Sequence, residues 1–196
     1  MLTKQAKALS PRELQRLLDD VSHSRHPERN RVTVLLSFKA GLRAVEIAGL
    51  RWAMVTDASG EIGDCIALPN RVAKGKSGGR AIPLHPELRD ALTALRQSRP
   101  DKVRSDWPVI YSERADGYSA NSIAVWFFER FAALGLQGAS SHSGRRTFIT
   151  AAAKKIVEAG GSLRDVQELA GHASLATTQR YIEGDTAAKR NVIKLI

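Results

Sequence analysis

The sequence predicts an α+β fold that is mostly α-helical, with a small three-stranded antiparallel sheet inserted early in the chain. Most segments carry apolar residues at helical spacing and are bounded by Ser, Pro or Gly. After Trp52 the pattern changes to three short apolar runs, MVTD, DCIALP and GRAIPL, which Asp, Gly and Asn separate. With 196 residues and 43% hydrophobic content, the chain is long enough to bury a core.

The first helices are predicted from their start and stop signals. Ser10 is placed as an N-cap, with Pro11 at the first helical position and Glu13 completing a capping box, so a helix should run to about Asp20. HSRHPERN is interpreted as a polar loop. RVTVLLSFKA is then a largely buried helix that ends at Gly41, and AVEIAGL is a short helical turn.

Beyond the sheet, the apolar periodicity predicts five more helices. They cover residues 86 to about 98, 120–134, 142–159, 163–170 and 175–181. Ser162 and Asp165 form a second capping box, and Ser174 starts the last of these helices, which contains Tyr181. No internal repeat or low-complexity segment is visible.

Composition narrows the function classes. Thirty Lys and Arg residues against 20 Asp and Glu give a formal net charge of +10, which suits a polyanion partner. The single Cys65 excludes an intramolecular disulfide. No segment has the continuous apolar character of a signal peptide or of a membrane span of about 20 residues. We therefore expect a soluble cytoplasmic protein that does not associate with membranes.

The stretch GHASLATTQRY places His172 nine residues before Tyr181. At about 100° per residue, Leu175, Gln179 and Ile182 form one stripe, and Tyr181 points roughly 120° away from it. A tyrosine that serves only as core should lie on that stripe. Packing and chemistry both remain open for Tyr181 on this evidence.

Two further pairs carry possible phosphate chemistry. His142 and Arg145 are three residues apart at a helix start, where backbone donors and the helix dipole favour an anion. The alternative is an ordinary first-turn His and an exposed Arg. Arg43 lies between apolar segments, three residues before Glu46. These two form either a structural ion pair or a pair in which Glu46 holds Arg43 toward a ligand.

The predicted connection KGKSGG is strongly basic. It contains Lys74 and Lys76 and is followed by Arg80. Most such turns are solvated surface, although a lysine on a turn over a cleft can reach a leaving oxygen. No metal site is predicted, because His142 and His172 lack the carboxylate or Cys ligands expected beside them.

These segments, in this order, resemble the catalytic domain of the tyrosine recombinases, also called phage integrases. The residues that carry the resemblance are GLRAVEIAGL, KGKSGGRAIPL, HSGR and AGHASLATTQRY. It covers the chain from about Leu9 to Glu183. The resemblance implies a catalytic domain at residues 1–183 and a C-terminal tail at 184–196 that docks on its own domain or on a neighbour. The family's usual N-terminal core-binding domain is not expected here.

The resemblance also implies site-specific DNA recombination, in which Tyr181 attacks a phosphodiester, forms a 3'-phosphotyrosyl link and frees a 5'-hydroxyl. The implied catalytic residues are Tyr181, Arg43, Arg145, His142, His172 and Lys74, with Lys76 as the alternative to Lys74. Glu46 would support Arg43, and Lys76, Arg80 and Arg146 would bind DNA. Neither a metal nor another cofactor is implied.

The implied partner is double-stranded DNA with inverted-repeat sites. The protein would bind this DNA as a homotetramer and would be a monomer in isolation. Integration, excision and inversion remain open as outcomes. Two alternative functions remain: relaxation of supercoils as by a type IB topoisomerase, and DNA binding by a non-catalytic regulator.

Two residues depart from the family's usual pattern. Gly144 stands where a larger apolar residue is frequent, and we expect it to loosen the helix start slightly. Arg146 stands where a His or Lys is frequent.

Overall fold

Helices and one short hairpin form the described part of the chain. The structure, a computed structural model, describes residues 6–70, 72, 79–99, 103–113 and 115–181. The elements are α1 (Pro11–Ser22), α2 (Pro27–Lys39), α3 (Ala44–Gly49), a 3-10 helix (Trp52–Met54), β1 (Cys65–Leu68), β2 (Arg80–Pro83), α4 (Pro86–Gln97), α5 (Ala120–Ala133), α6 (Ser143–Lys155), α7 (Leu163–Ala170) and α8 (Leu175–Gln179). The prediction of a mostly helical α+β fold is confirmed.

Helix α2 is the centre of the core. Its residues Val32, Val34, Leu35 and Leu36 are fully buried, and α1, α4 and α6 pack around it. The helix begins at Pro27, so the prediction of a loop through residue 30 is wrong at its end. The reason is tertiary: Arg29 and Asn30 are buried, and Arg29 lies over the rings of Tyr111 and Tyr118.

The sheet has two strands among the described residues, so the prediction of three is wrong in this detail. Strands β1 and β2 are antiparallel, with Ile66 opposite Ile82. The run MVTD instead begins at the last residue of the 3-10 helix, and in the described structure Thr56 makes an isolated bridge with Ile62. Met54 and its neighbour Val55 are both buried, which differs from the alternating burial of a half-exposed strand.

Capping confirms the predicted starts of two helices. The Glu13 carboxylate accepts from the Ser10 backbone N–H at 2.8 Å, and the Asp165 carboxylate accepts from the Ser162 backbone N–H at 2.7 Å. Two ends differ from the prediction. Helix α6 ends at Lys155 rather than at residue 159, and α8 ends at Gln179, so that Tyr181 follows the helix instead of lying within it.

Two glycines let α6 pack closely on α2 and on the loop after it. A Cβ at Gly144 would overlap the Ser37 hydroxyl and lie 2.8 Å from Phe38 Cδ2, and one at Gly41 would overlap Phe148. Gly41 also has a φ of 64°, which favours glycine. Gly144 therefore permits a tight helix contact, which the expectation of a loosened helix start did not foresee.

No helix in the described ranges is long and apolar enough to cross a membrane. The predicted tail at residues 184–196 and the domain boundary before it lie outside the described residues.

Candidate active site

Arg43 is held at the start of α3 by Glu46. The Arg43 backbone N–H donates to Glu46 Oε2 at 2.8 Å, and Nη1 donates to Oε1 at 2.9 Å. Arg80, at the start of β2, donates to the same carboxylate from both terminal nitrogens, at 2.9 and 3.0 Å. The predicted Arg43–Glu46 pair is present, and Arg80 completes it.

Glu46 is fully buried, yet it is ionised. Burial raises the pKa of this carboxyl, but the hydrogen bonds and positive charges of Arg80 and Arg43 outweigh burial and hold the pKa below its ordinary value. One negative charge therefore stands between two guanidinium groups.

Arg145, in the first turn of α6, is buried and has no carboxylate as direct partner in the ranges that the structure describes. Nη1 donates to the Gly41 carbonyl at 2.7 Å, and Nη2 donates to the Ala170 carbonyl at 2.6 Å. Burial and the positive charges of Arg43 and Arg80 lower the pKa of Arg145 to about 10, against the opposing effects of Glu46 and Tyr181. The side chain remains charged at neutral pH, and the described part of the chain compensates its positive charge only in part.

The C-terminal end of α7 brings the arginines together. Arg145 binds the carbonyl of Ala170, and Arg43 Nη2 donates to the carbonyl of Gly171 at 3.4 Å. Cations suit this end, because the last carbonyls of a helix lack intrahelical partners and carry the negative end of its dipole. Gly171 caps the helix with a φ of 60°, and a Cβ there would lie 2.6 Å from Arg80 Nη1. Glycine is thus favoured at position 171 both by the positive φ and by the close approach of the Arg80 side chain.

His172 follows this cap and is buried. Its backbone N–H donates to the Gln167 carbonyl at 3.1 Å, and Gln167 Nε2 donates to the His172 carbonyl at 2.9 Å. The ring nitrogen Nδ1 lies 2.9 Å from Thr178 Oγ1. Burial, with the charges of Arg145 and Arg43, lowers the pKa of His172 to about 4. The imidazole is therefore neutral at physiological pH.

Tyr181 stacks on His172. The two ring centroids are 5.4 Å apart, and the ring planes differ by 24°. Its backbone is held as well, since the Thr150 hydroxyl donates to the Tyr181 carbonyl at 3.3 Å. The partly buried ring also packs against a small cluster formed by Ile149, Val166 and Ala170.

The predicted apolar stripe of α8 is wrong where the structure describes it. Leu175 is 39% exposed and Gln179 is exposed, while Thr178 is fully buried. The stripe assumed a helix that continues to residue 182, whereas α8 has five residues. Packing of Tyr181 against α6 and α7 therefore decides which side of this segment is inside.

The structure brings Arg43, Arg145, His172 and Tyr181 together with Glu46 and Arg80. His142 takes the cap position before α6 with an exposed side chain, and Arg146 is half-buried. Lys74 and Lys76 lie outside the described residues, which resume at Gly79, directly before Arg80. Within the described ranges, no three His, Cys, Asp or Glu side chains form a group that could hold a metal ion.

The model of the phage integrase family matches residues 7–187. This chain belongs to the phage integrase family. Among curated relatives, this integrase-family chain is 31% identical over 178 residues to tyrosine recombinase XerA of Thermococcus kodakarensis, covering 89% of the chain and 57% of that protein. It is 32% identical over 187 residues to tyrosine recombinase XerC of Rhizobium meliloti, covering 92% of the chain and 55% of that protein. The chain spans about half the length of these relatives.

Solved structures share the fold of this integrase-family chain. The crystal structure of XerA recombinase superposes with a TM-score of 0.71 at 24% identity, covering 96% of this chain and 64% of the other. The Tn1549 transposon integrase, solved in complex with transposon right end DNA, has a TM-score of 0.76 at 18% identity and covers 99% of this chain and 67% of the other. These matches confirm the predicted tyrosine-recombinase catalytic-domain fold.

Sequence analysis of this integrase-family chain missed two features of the site. The burial of Arg80 could have been predicted from the sequence, because strand alternation places it on the same face as Ile82, which is buried. The contact of Thr178 with His172 could not have been predicted in this way, because α8 has five residues and is too short to show a helical period. Arg80 was predicted to bind DNA, and that role remains a prediction beside the contact with Glu46.

Proposed function

We propose that this chain catalyses site-specific DNA recombination by breaking and rejoining strands through a 3'-phosphotyrosyl intermediate. The observation that carries the proposal is the charge of the site: among the described residues, Arg43, Arg80 and Arg145 are grouped around one carboxylate, that of Glu46. A partly buried excess of positive charge is costly unless an anion joins it. Tyr181 lies beside this site, so a phosphate bound there would meet a nucleophile.

The chemistry exchanges one phosphodiester for another. The Tyr181 hydroxyl attacks phosphorus and loses its proton, the bond from phosphorus to the 5'-oxygen breaks, and the 5'-oxygen takes up a proton. The products are a 3'-phosphotyrosine and a free 5'-hydroxyl, which can attack in the reverse sense and release the tyrosine. Because the bond energy is kept in the intermediate, the proposal requires no nucleotide cofactor.

Each charged group has a proposed part. Arg43 and Arg145 neutralise the non-bridging oxygens, where negative charge grows in the transition state. His172 adds a donor, and the exposed His142 accepts the phenol proton. Lys74, with Lys76 as the alternative, protonates the leaving 5'-oxygen. Metal-free phosphoryl transfer of this kind rests on the cations that the protein supplies.

The proposed substrate is double-stranded DNA with inverted repeats, bound by four copies of the chain in the cytoplasm. The net charge of +10 supports a polyanion. A related structure, XerH recombinase, is described as bound to its difH substrate, with a TM-score of 0.70 at 22% identity, covering 98% of this chain and 55% of the other. We further propose that residues 1–183 form the catalytic domain and that Arg146 contacts the DNA backbone.

The nucleophile is tested by trapping the covalent intermediate. Inverted repeats in the DNA that flanks the gene supply the duplex, and a nick next to the cleavage position lets the 5'-hydroxyl fragment diffuse away. The wild-type protein should form an adduct that survives SDS. Tyr181→Phe should form none while binding DNA with the same affinity, because only the hydroxyl is removed.

Tyr118→Phe is the matched control, because Tyr118 packs on Arg29 away from the site. It should form the adduct at the wild-type rate. An adduct in Tyr181→Phe would disprove the assignment of the nucleophile. If the wild-type protein forms no adduct on any of the flanking repeats, the result would favour a DNA-binding regulator. If it relaxes plasmids that lack such repeats, the result would favour a topoisomerase.

A further inference from the structure

The hydroxyl of Thr178 is fully buried and faces one ring nitrogen. Its relative exposure is 0%, and the hydrogen bond that the structure gives Oγ1 among the described residues is with His172 Nδ1, at 2.9 Å. A neutral imidazole carries its proton on one nitrogen and accepts on the other. The direction of this hydrogen bond therefore decides which nitrogen of His172 carries the proton.

Three other helical threonines of this protein place their hydroxyl differently. Thr33, Thr93 and Thr147 each donate to the backbone carbonyl four residues before them. Thr178 does not make this bond with Ser174, and its hydroxyl is turned to the histidine instead. Among the described residues, His172 Nδ1 is therefore the available acceptor for this hydroxyl hydrogen.

The two tautomers of His172 differ in whether they provide an acceptor for the hydroxyl hydrogen of Thr178. If Nδ1 carried the proton and donated to Thr178, the hydroxyl hydrogen would be buried with no acceptor among the described residues, which is unfavourable. If Nε2 carries the proton, the Thr178 hydroxyl donates to the Nδ1 lone pair and both groups are satisfied. Hydrogen bonding thus selects the tautomer with Nε2–H.

The surroundings of the ring keep it neutral, so the tautomer determines what it can do. Positive charge reaches it from three elements: Arg145 of α6, Arg43 before α3 and Arg80 of β2. These charges and burial hold its pKa at about 4. Tyr181 covers one face of the ring. A neutral ring with Nε2–H has a donor, and no acceptor, on the side away from Thr178.

We propose that Thr178 is a positioning residue that fixes His172 as a neutral hydrogen-bond donor through Nε2. His172 then donates to a non-bridging oxygen of the phosphate and does not accept the proton of Tyr181. This inference rests on the proposed function for its phosphate and on the hydrogen-bond geometry for its tautomer. Partners on the far nitrogen commonly set the tautomer of functional histidines in this way.

The tautomer is measured without any DNA. Nitrogen-15 NMR of the imidazole rings distinguishes Nε2–H from Nδ1–H, and the His172→Gln spectrum identifies the His172 signals. We expect Nε2–H in the wild-type protein and in Thr178→Ser, which keeps the hydroxyl. Thr178→Val keeps the volume but not the hydroxyl, and should show Nδ1–H or a mixture.

Thr177→Val is the matched control, because Thr177 is adjacent and half-buried. It should leave the His172 tautomer unchanged. Nδ1–H in the wild-type protein would overturn the inference. So would an unchanged tautomer in Thr178→Val, since Thr178 would then not be its cause.

A kinetic measurement tests the consequence for chemistry. In single-turnover trapping, Thr178→Val should form the adduct about 10- to 100-fold more slowly, the range for loss of a supporting partner. DNA affinity should change less than twofold, and Thr178→Ser should restore the rate. An unchanged rate in Thr178→Val would overturn the proposed positioning role. If the wild-type protein forms no adduct at all, the proposed function fails, and the NMR result alone still decides the tautomer.

Discussion

Arg80 was predicted to bind DNA as part of a basic turn, and the structure gives its guanidinium another contact. The side chain is 9% exposed, and both terminal nitrogens donate to the buried Glu46. Glu46 in turn holds Arg43. An arginine used in this way stabilises the fold and positions a neighbour, whereas a phosphate contact would add to the salt dependence of DNA binding.

Substitution of Arg80 separates these two roles. Arg80→Gln should lower the free energy of unfolding by about 3 kcal/mol, because Glu46 stays buried and Arg43 is its remaining charged partner among the described residues. The slope of log affinity against log salt should stay as in the wild-type protein. Chemical denaturation and DNA binding at several salt concentrations provide the two measurements.

Arg146→Gln is the comparison for Arg80, since Arg146 is predicted to contact the DNA backbone. Its salt slope should become shallower by about 0.9, the value for one lost phosphate contact on duplex DNA. If Arg80→Gln produces the same change in slope, Arg80 contacts phosphate as the sequence analysis predicted.

At the scale of elements, the contact between α2 and α6 sets the position of Arg145. Gly144 lies against Ser37 and Phe38 with no room for a Cβ, and Arg145 is the next residue. Its Nη1 reaches the Gly41 carbonyl just beyond the end of α2. The close approach of the two helices therefore places a guanidinium in the site.

Gly144→Ala should destabilise the protein by about 1–3 kcal/mol, the range for overpacking a core. The sign is diagnostic, because the same change at an exposed helix position stabilises by up to about 1 kcal/mol. Adding Ser37→Gly removes the nearest obstructing side chain and should recover part of the loss, which thermal or chemical unfolding of the single and double variants measures. Additive losses would show that Ser37 is not the obstruction.

At the scale of the molecule, Tyr181 lies in the site of its own chain. Its ring stacks on His172, and its backbone accepts from Thr150 of the same protomer. We therefore predict that each protomer cleaves with its own tyrosine, even when several copies assemble on DNA.

A complementation assay tests this prediction. Tyr181→Phe keeps the arginines, and Arg43→Gln keeps the tyrosine, with circular dichroism used to show that both variants are folded. Mixed on one DNA duplex, the two should form no more adduct than they form separately. A clear gain on mixing would show that one protomer donates its tyrosine to the site of another.

The sequence by itself determined the features that depend on near neighbours. The capping boxes at Ser10 and Ser162 and the pairing of Arg43 with Glu46 join residues three positions apart, so their residue types suffice to predict them. The family motifs likewise contain Arg43, Arg145, His172 and Tyr181, which the structure brings together. The predictions of a third strand and of an apolar stripe on α8 were wrong. Both assumed a periodic pattern of burial in segments where tertiary contacts decide which residues are buried.

Only the tertiary structure decided how these residues meet. Arg145 binds carbonyls 104 and 25 positions away, and Arg80 reaches Glu46 across 34 positions. Contacts at such separations depend on the packing of α2, α6 and α7, and they leave no periodic trace in the sequence. The same packing buries Thr178 against His172 and lays Tyr181 on its ring. The sequence thus determined which groups are available, and the packing of helices determined the charge and hydrogen bonding that each of them experiences.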